Sequence, residues 1–230
     1  DGQYHAWTEI NVPQRPFEIE NVDTVTVPLA QSGYTTEYLR YRITINDRPN
    51  ETNYYRIVID KQTTLWGYNH EEGGDDYIYW TKHSYNFIGR EDVVLTDGQP
   101  TTGDDEDNGL FDTAKNIYGV FDDTRFRNTS YTMTVYNNTK IETGSDSGYF
   151  SGMDVIIRLM SITETEYYYL KALNLVDSDA YDETINEPIK YPSNVHGGTG
   201  MVGISTEVTQ TIHIISSSHS KGNLAPPVHV

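Results

Sequence analysis

Cysteine is missing from all 230 residues, which removes thiolate metal ligands, thiol nucleophiles and disulfide frameworks from consideration. Basic residues are scarce as well. Sixteen Lys and Arg stand against 34 Asp and Glu, giving a formal net charge of -18 and a pI near 4.6. A phosphate backbone is bound by replacing its counterions with Lys and Arg, so nucleic acid is not an expected partner. Long apolar runs are lacking too: Val155 to Met160 has Arg158 inside it and falls far short of the ~20 residues that cross a bilayer. No charged-then-apolar signal segment opens the chain, which therefore reads as a mature or trimmed form. Phenylalanine is sparse, with six copies, whereas tyrosine is abundant at 19. Much of the aromatic surface thus carries a hydroxyl that can sit half-buried or meet a polar ligand.

What is present is a period of two. Leu39, Tyr41, Ile43 and Ile45 alternate with Arg40, Arg42 and Thr44, the pattern of a strand with one wet face. Asp47 to Thr52, with Pro49 inside, interrupts the pattern, and Tyr55, Ile57 and Ile59 resume it. The two runs are expected to form a hairpin with a longer loop. Further strands are expected at 24–29, 77–82, 117–121, 131–136, 154–162, 201–208 and 211–215. So many short strands separated by turn residues favour an antiparallel β-sandwich of immunoglobulin or fibronectin type III kind over a parallel sheet. One segment departs from the pattern. Thr163 followed by Glu166 spells a capping box, and Tyr168, Ala172, Leu175 and Val176 recur at helical spacing, so one docked helix is expected at 164–175. Residues 1–19, with Pro13 and Pro16, read as a terminal strand and linker, a remnant of an upstream domain, and 20–230 as the sandwich domain. A chain of this length buries roughly 70% of its unfolded surface without help from disulfide or metal.

Several patterns hint at chemistry, each with a plainer alternative. Residues 96–112 form an acidic, Gly-containing loop whose length calls for either a function or mobility. Within it Asp104, Glu106, Asn108 and Asp112 copy the oxygen-ligand spacing of a calcium loop, but Lys115 occupies the place of the bidentate carboxylate, so calcium there competes with a merely solvated loop. Gly198, Gly200 and Gly203 spell a dinucleotide fingerprint, yet a β-branched run follows where a helix is required. Gly198 and Gly200 are expected to serve a turn or a close backbone approach. His70 and Glu71 begin like a zinc-protease motif that fails at Gly74. No Gly-x-Ser-x-Gly elbow occurs. Trp66, Tyr68, Tyr77, Tyr79 and Trp80 flank a Gly-rich loop, 67–76, and are the candidate ligand contacts for a sugar or peptide, with strand packing as the alternative.

A set of words spread along the chain carries a family resemblance: Asn53-Tyr54-Tyr55-Arg56-Ile57 after the turn at Asp47 and Pro49, Phe121-Asp122-Asp123 with Phe126, Tyr167-Tyr168-Tyr169, Glu187-Pro188, and Ser193-Asn194-Val195 leading to Gly198, Gly200 and Val202-Gly203. In order and spacing they resemble the Bacteroidota envelope lipoproteins of the domain of unknown function four-two-four-nine. Where that family usually has Asn-Pro-Phe before Glu-Pro, this chain has Thr184-Ile185-Asn186. The resemblance implies an outer-membrane location facing periplasm or cell surface. It also implies a full-length form with an N-terminal lipid anchor and a further β-rich domain, both missing from this sequence, and an accessory role beside TonB-dependent nutrient transporters. It assigns no catalytic residue. The resulting expectation is a non-enzymatic envelope binding module, without cofactor, whose partner is an outer-membrane transporter or a small peptide or glycan. The alternatives are a structural spacer or adhesin-like domain and a metal-dependent hydrolase built around the acidic loop.

Overall fold

The computed structural model describes residues 5–31, 34–68, 77–85, 87, 89, 92–98, 116–138, 149–177 and 189–214. Their elements run β1 (Asn21–Gln31), β2 (Tyr34–Asn46), β3 (Tyr54–Tyr68), β4 (Tyr77–Ser84), β5 (Val120–Asp122), β6 (Ser130–Asn138), β7 (Tyr149–Ile162), α1 (Glu164–Val176) and β8 (Thr206–Ile214). One sheet has the order β1-β2-β6, and the other β4-β3-β7-β8 with β5 also paired to β3. All of these pairings are antiparallel. Among the described residues the expected mainly-β, open two-sheet sandwich with a single docked helix is what the sequence builds.

Alternation explains the core. On β2 the odd residues Leu39, Tyr41, Ile43 and Ile45 are buried, and on β6 Met133 and Val135 lie beside Ile43 and Tyr41 in register. On the facing sheet Ile57 and Ile59 pair with Leu159 and Ile157. All belong to one apolar cluster, to which Val208 and Ile19 also contribute. The even residues Met160 and Ile162 of β7 point the other way, where they join Val120, Tyr167 and Leu170 in a second cluster beneath α1. The helix therefore closes the outer face of the larger sheet, and a sheet residue's parity decides which core it enters.

Four expectations need correction. β2 and β3 are not a hairpin: β2 pairs with β1 and β6, while β3 pairs with β4, β5 and β7. Residues 47–53 instead carry the chain from one sheet to the other. Patterning reveals which face a strand buries, but not which neighbour it pairs with. The segment 117–121 is a strand only from Val120, because Gly119 is left-handed (φ 65°) and breaks the run. The two strands expected at 201–208 and 211–215 are a single strand, β8, preceded by irregular chain at 201–205. On α1 the buried residues are Glu166, Tyr167, Leu170, Ala172 and Asn174, whereas Tyr168 and Leu175 are 49% and 47% exposed. The true contact stripe was hidden by two polar members, Glu166 and Asn174. Asn174 accepts the Tyr118 amide at 3.0 Å and donates to Asn116 Oδ1 at 2.9 Å, so burial costs its amide no hydrogen bond.

The edge strand β6 is blunted. Buried Asp92 accepts the Thr134 amide at 2.8 Å, the Tyr131 hydroxyl at 3.0 Å, and the amides of Val94 and Leu95 in its own turn. One carboxylate thus ties a loop to a strand edge that would otherwise offer an open amide.

Candidate functional site

A cleft of about 410 Å³ opens where three stretches of chain meet: residues 9–14, residues 51–54 of the sheet-to-sheet crossover, and residues 161–165 at the junction of β7 and α1, with Asn194 beside them. The first wall has no regular secondary structure, and it is pinned at several points. Trp7 and His196 exchange backbone hydrogen bonds at 3.0 and 2.8 Å and stack their rings at 4.2 Å. The Thr8 hydroxyl donates to the Asn194 carbonyl at 2.6 Å, Arg15 donates to the Glu207 carbonyl at 3.1 Å, and the Thr206 hydroxyl donates to the Pro13 carbonyl at 3.2 Å. Arg48 lies over the Phe17 ring at 4.9 Å.

The crossover wall is held by two buried carboxylates. Asp123, at 0% exposure, accepts the Asn53 backbone amide at 2.8 Å, the Asn53 side-chain amide at 2.9 Å and the Arg127 guanidinium at 3.2 Å. Asp47 accepts the Asn128 amide at 2.8 Å and, at 3.3 Å each, the Asn53 side chain and the Tyr55 hydroxyl. Burial, followed by the nearby Asp123 charge, raises the Asp47 carboxyl above its ordinary value, against the pull of the Asn128 amide and Tyr55. Asn50 and Asn128 both sit at positive φ (66° and 60°), and the Asn128 side chain accepts the Asn50 amide at 3.0 Å. Asp47, Asn53, Tyr55, Asp123 and Phe126, the first half of the family words, are thus the residues that lock the crossover.

The third wall is the start of α1. Thr163 caps the helix, its hydroxyl accepting the Glu166 amide at 3.2 Å. The expected capping box is half realised, because the Glu166 carboxylate lies against Gly203 and accepts the Ile204 amide. A side chain at 203 would bring its Cβ within 2.8 Å of Glu166 Oε2, so Gly203 serves close approach. Burial raises the Glu166 carboxyl above its ordinary value, opposed by Arg56 and the Ile204 amide. Tyr54 donates to Glu164 at 2.9 Å and rests on the Tyr167 ring at 4.9 Å. Burial, then the bond to Glu164, moves its phenol upward. Tyr167 donates to Asp122 at 3.1 Å, and burial pushes its phenol up to about 12 although Lys171 acts in the opposite sense. For Asp122, burial works upward but is outweighed by bonds from Thr124 and Tyr167 and by Lys171, leaving the carboxyl below its ordinary value.

The aromatic candidates lie elsewhere, along β3 and β4. Register places Trp66 opposite Tyr79 and Tyr68 opposite Tyr77. Trp66 is 4% exposed and Tyr79 57%. Trp80 is half-buried and covers the bare backbone of Gly67, whose added Cβ would stand 3.1 Å from the indole. Tyr79, Thr81 and His83 form the exposed row of β4, and Tyr85 follows just past its end, with the His83 and Tyr85 rings stacked at 6.1 Å. The calcium-loop candidates Asp104, Glu106, Asn108 and Asp112 lie outside the described residues, as do His70, Glu71 and Gly74. Among the described residues no group of three or more His, Asp or Glu could hold a metal ion. Of the dinucleotide look-alike, Gly200 has a positive φ of 122° and marks a turn, and neighbouring Gly197 passes so close to the His5 carbonyl that a Cβ would lie 2.3 Å from it.

The cleft itself escaped sequence reasoning, since Glu9, Glu51 and Glu164 share no local motif. The available signal was the family words, which include the lining residues Asn53, Tyr54 and Asn194. A family described as a domain of unknown function, DUF4249, matches residues 1–211. No curated protein matches the chain.

Proposed function

We propose, from the premise that the chain belongs to the DUF4249 family, that it is a non-enzymatic binding module of the cell envelope and that its ligand sits in the cleft. The reading places it at the outer membrane, as an accessory to TonB-dependent uptake that captures or hands over a nutrient or contacts the transporter. The observation that carries it is the cleft of about 410 Å³, within the range of small-ligand sites. Its walls come from three distant stretches, each fixed by buried or bridging hydrogen bonds, and a site held in shape beforehand loses little entropy when it is filled. The exposed Tyr79 and His83 of β4, with Tyr85 just past its end, supply a second surface on which a larger partner can rest.

The test is recovery of the intact protein from its native membrane, followed by identification of what accompanies it. A TonB-dependent channel is expected with the native protein and lost with Thr165→Trp, which fills the cleft. Recovery of the protein alone, under conditions that preserve known complexes, overturns the reading. The seating of residues 7–15 along His196, Thr206 and Glu207 favours a second reading, a spacer that holds an upstream segment in a fixed direction. On that reading Thr165→Trp leaves the accompanying proteins unchanged.

A further inference from the structure

We propose that the cleft receives a ligand bearing a primary ammonium or guanidinium group. This deepens the binding-module reading and rests on it. Glu9, Glu51 and Glu164 line the cleft, and among the described residues neither Lys nor Arg does. Arg48 stands 3.3 Å from Glu51 and shares that charge. Arg127 is drawn to Asp123 and the Thr52 hydroxyl, and Arg15, next to the lining residue Gln14, to Glu18 and the Glu207 carbonyl. Glu9 and Glu164 thus retain their negative field on two different walls, and a concave site of one sign concentrates ions of the other.

The chemistry of the lining narrows the cation. The carboxylates are not gathered closely enough for a metal, as no metal-competent trio exists among the described residues. Carboxylates spread across a cavity of this size suit an organic cation that spans it. Tyr54 adds an aromatic surface to the same lining, and its hydroxyl hydrogen is already given to Glu164. What the phenol has left to offer is lone pair and ring face, both of which favour a positive group. An anionic ligand drawn by the N-terminus of α1 is the competing possibility. That end of the helix is already met by the Thr163 side chain and by Glu164 and Glu166 in the first turn, which oppose a further negative charge.

Two sources supply this chemistry, a basic peptide and a free polyamine. Calorimetric titration of the full chain at low salt with a capped Lys-Ala-Lys tripeptide, with spermidine and with a capped Glu-Ala-Glu tripeptide separates them. Saturable binding of either cation, with the acidic peptide silent, is expected, and whichever binds more tightly identifies the source. The isosteric double variant Glu9→Gln with Glu164→Gln keeps an acceptor for Tyr54. It is expected to weaken cation binding roughly tenfold, the loss of two partly exposed ion pairs, with an unchanged thermal midpoint. Silence of both cations, or equal affinity in the double variant, overturns the inference. If both cations are silent while the Thr165→Trp variant still loses its membrane partner, the cleft remains the binding site and only the cationic ligand is refuted.

Discussion

Two buried carboxylates illustrate how the same functional group stabilises or strains this fold according to its partners. Asp123 has a full set: two donors from Asn53 and one from Arg127. Asp123→Ala takes the acceptor from the Asn53 backbone amide and leaves the Asn53 side chain and Arg127 only their weaker bonds to Asp47, Arg48 and Thr52; it is expected to cost about 3 kcal/mol, read as a lower urea midpoint with an unchanged slope. Glu166 is the opposite case, buried with Oε2 lacking any hydrogen-bond partner among the described residues. Burial raises its carboxyl above the ordinary 4.5 despite Arg56 and the Ile204 amide, so ionisation is harder in the folded chain than in the unfolded one. Below pH 4.5 the group is protonated in both states and contributes no difference. As the pH rises through the folded value, its ionisation subtracts stability. Glu166→Gln is therefore expected to melt higher than the native protein at neutral pH, with the gap closing below pH 4.5. Melting curves across that range check it, and a gap independent of pH would refute the assignment.

The elements show where local rules suffice. Gly119 accepts the Ile57 amide at 2.8 Å while its own absent side chain makes room for the Ile57 carbonyl, only 2.3 Å from where a Cβ would lie. Gly119→Ala combines that clash with a φ of 65° and is expected to lose more than about 2 kcal/mol, measurable by chemical denaturation. The period of two in β2 and β7 was legible because each strand buries one face in the main core, and Thr163 announced the helix through its cap. Less was legible where burial is polar. Asn174 and Glu166 disguised the contact stripe of α1, and Asp47 and Asp123 turned an apparent hairpin loop into a passage between sheets. The cleft was legible only through Asn53, Tyr54 and Asn194, because its acidic residues are brought together by tertiary contacts that no local spacing encodes.

For the molecule as a whole, charge is the dominant long-range term. A formal charge of -18 makes the folded state repel itself, whereas exposed pairs such as Arg158 with Glu207 at 3.2 Å contribute little. Screening therefore relieves more repulsion than it removes attraction. The thermal midpoint is expected to rise as salt increases from low to physiological strength, and a fall, followed by intrinsic fluorescence, would show that ion pairs dominate instead. The pairing of β3 with β7, Tyr54 opposite Ile162, also has a consequence during synthesis. At about 5–20 residues per second, a ribosome releases β3 on the order of ten seconds before it completes β7. Throughout that interval Ile57 and Ile59 lack their β7 partners Leu159 and Ile157, although β4 and β5 are already there to pair with the two ends of β3, so the middle of the larger sheet is the part that closes last.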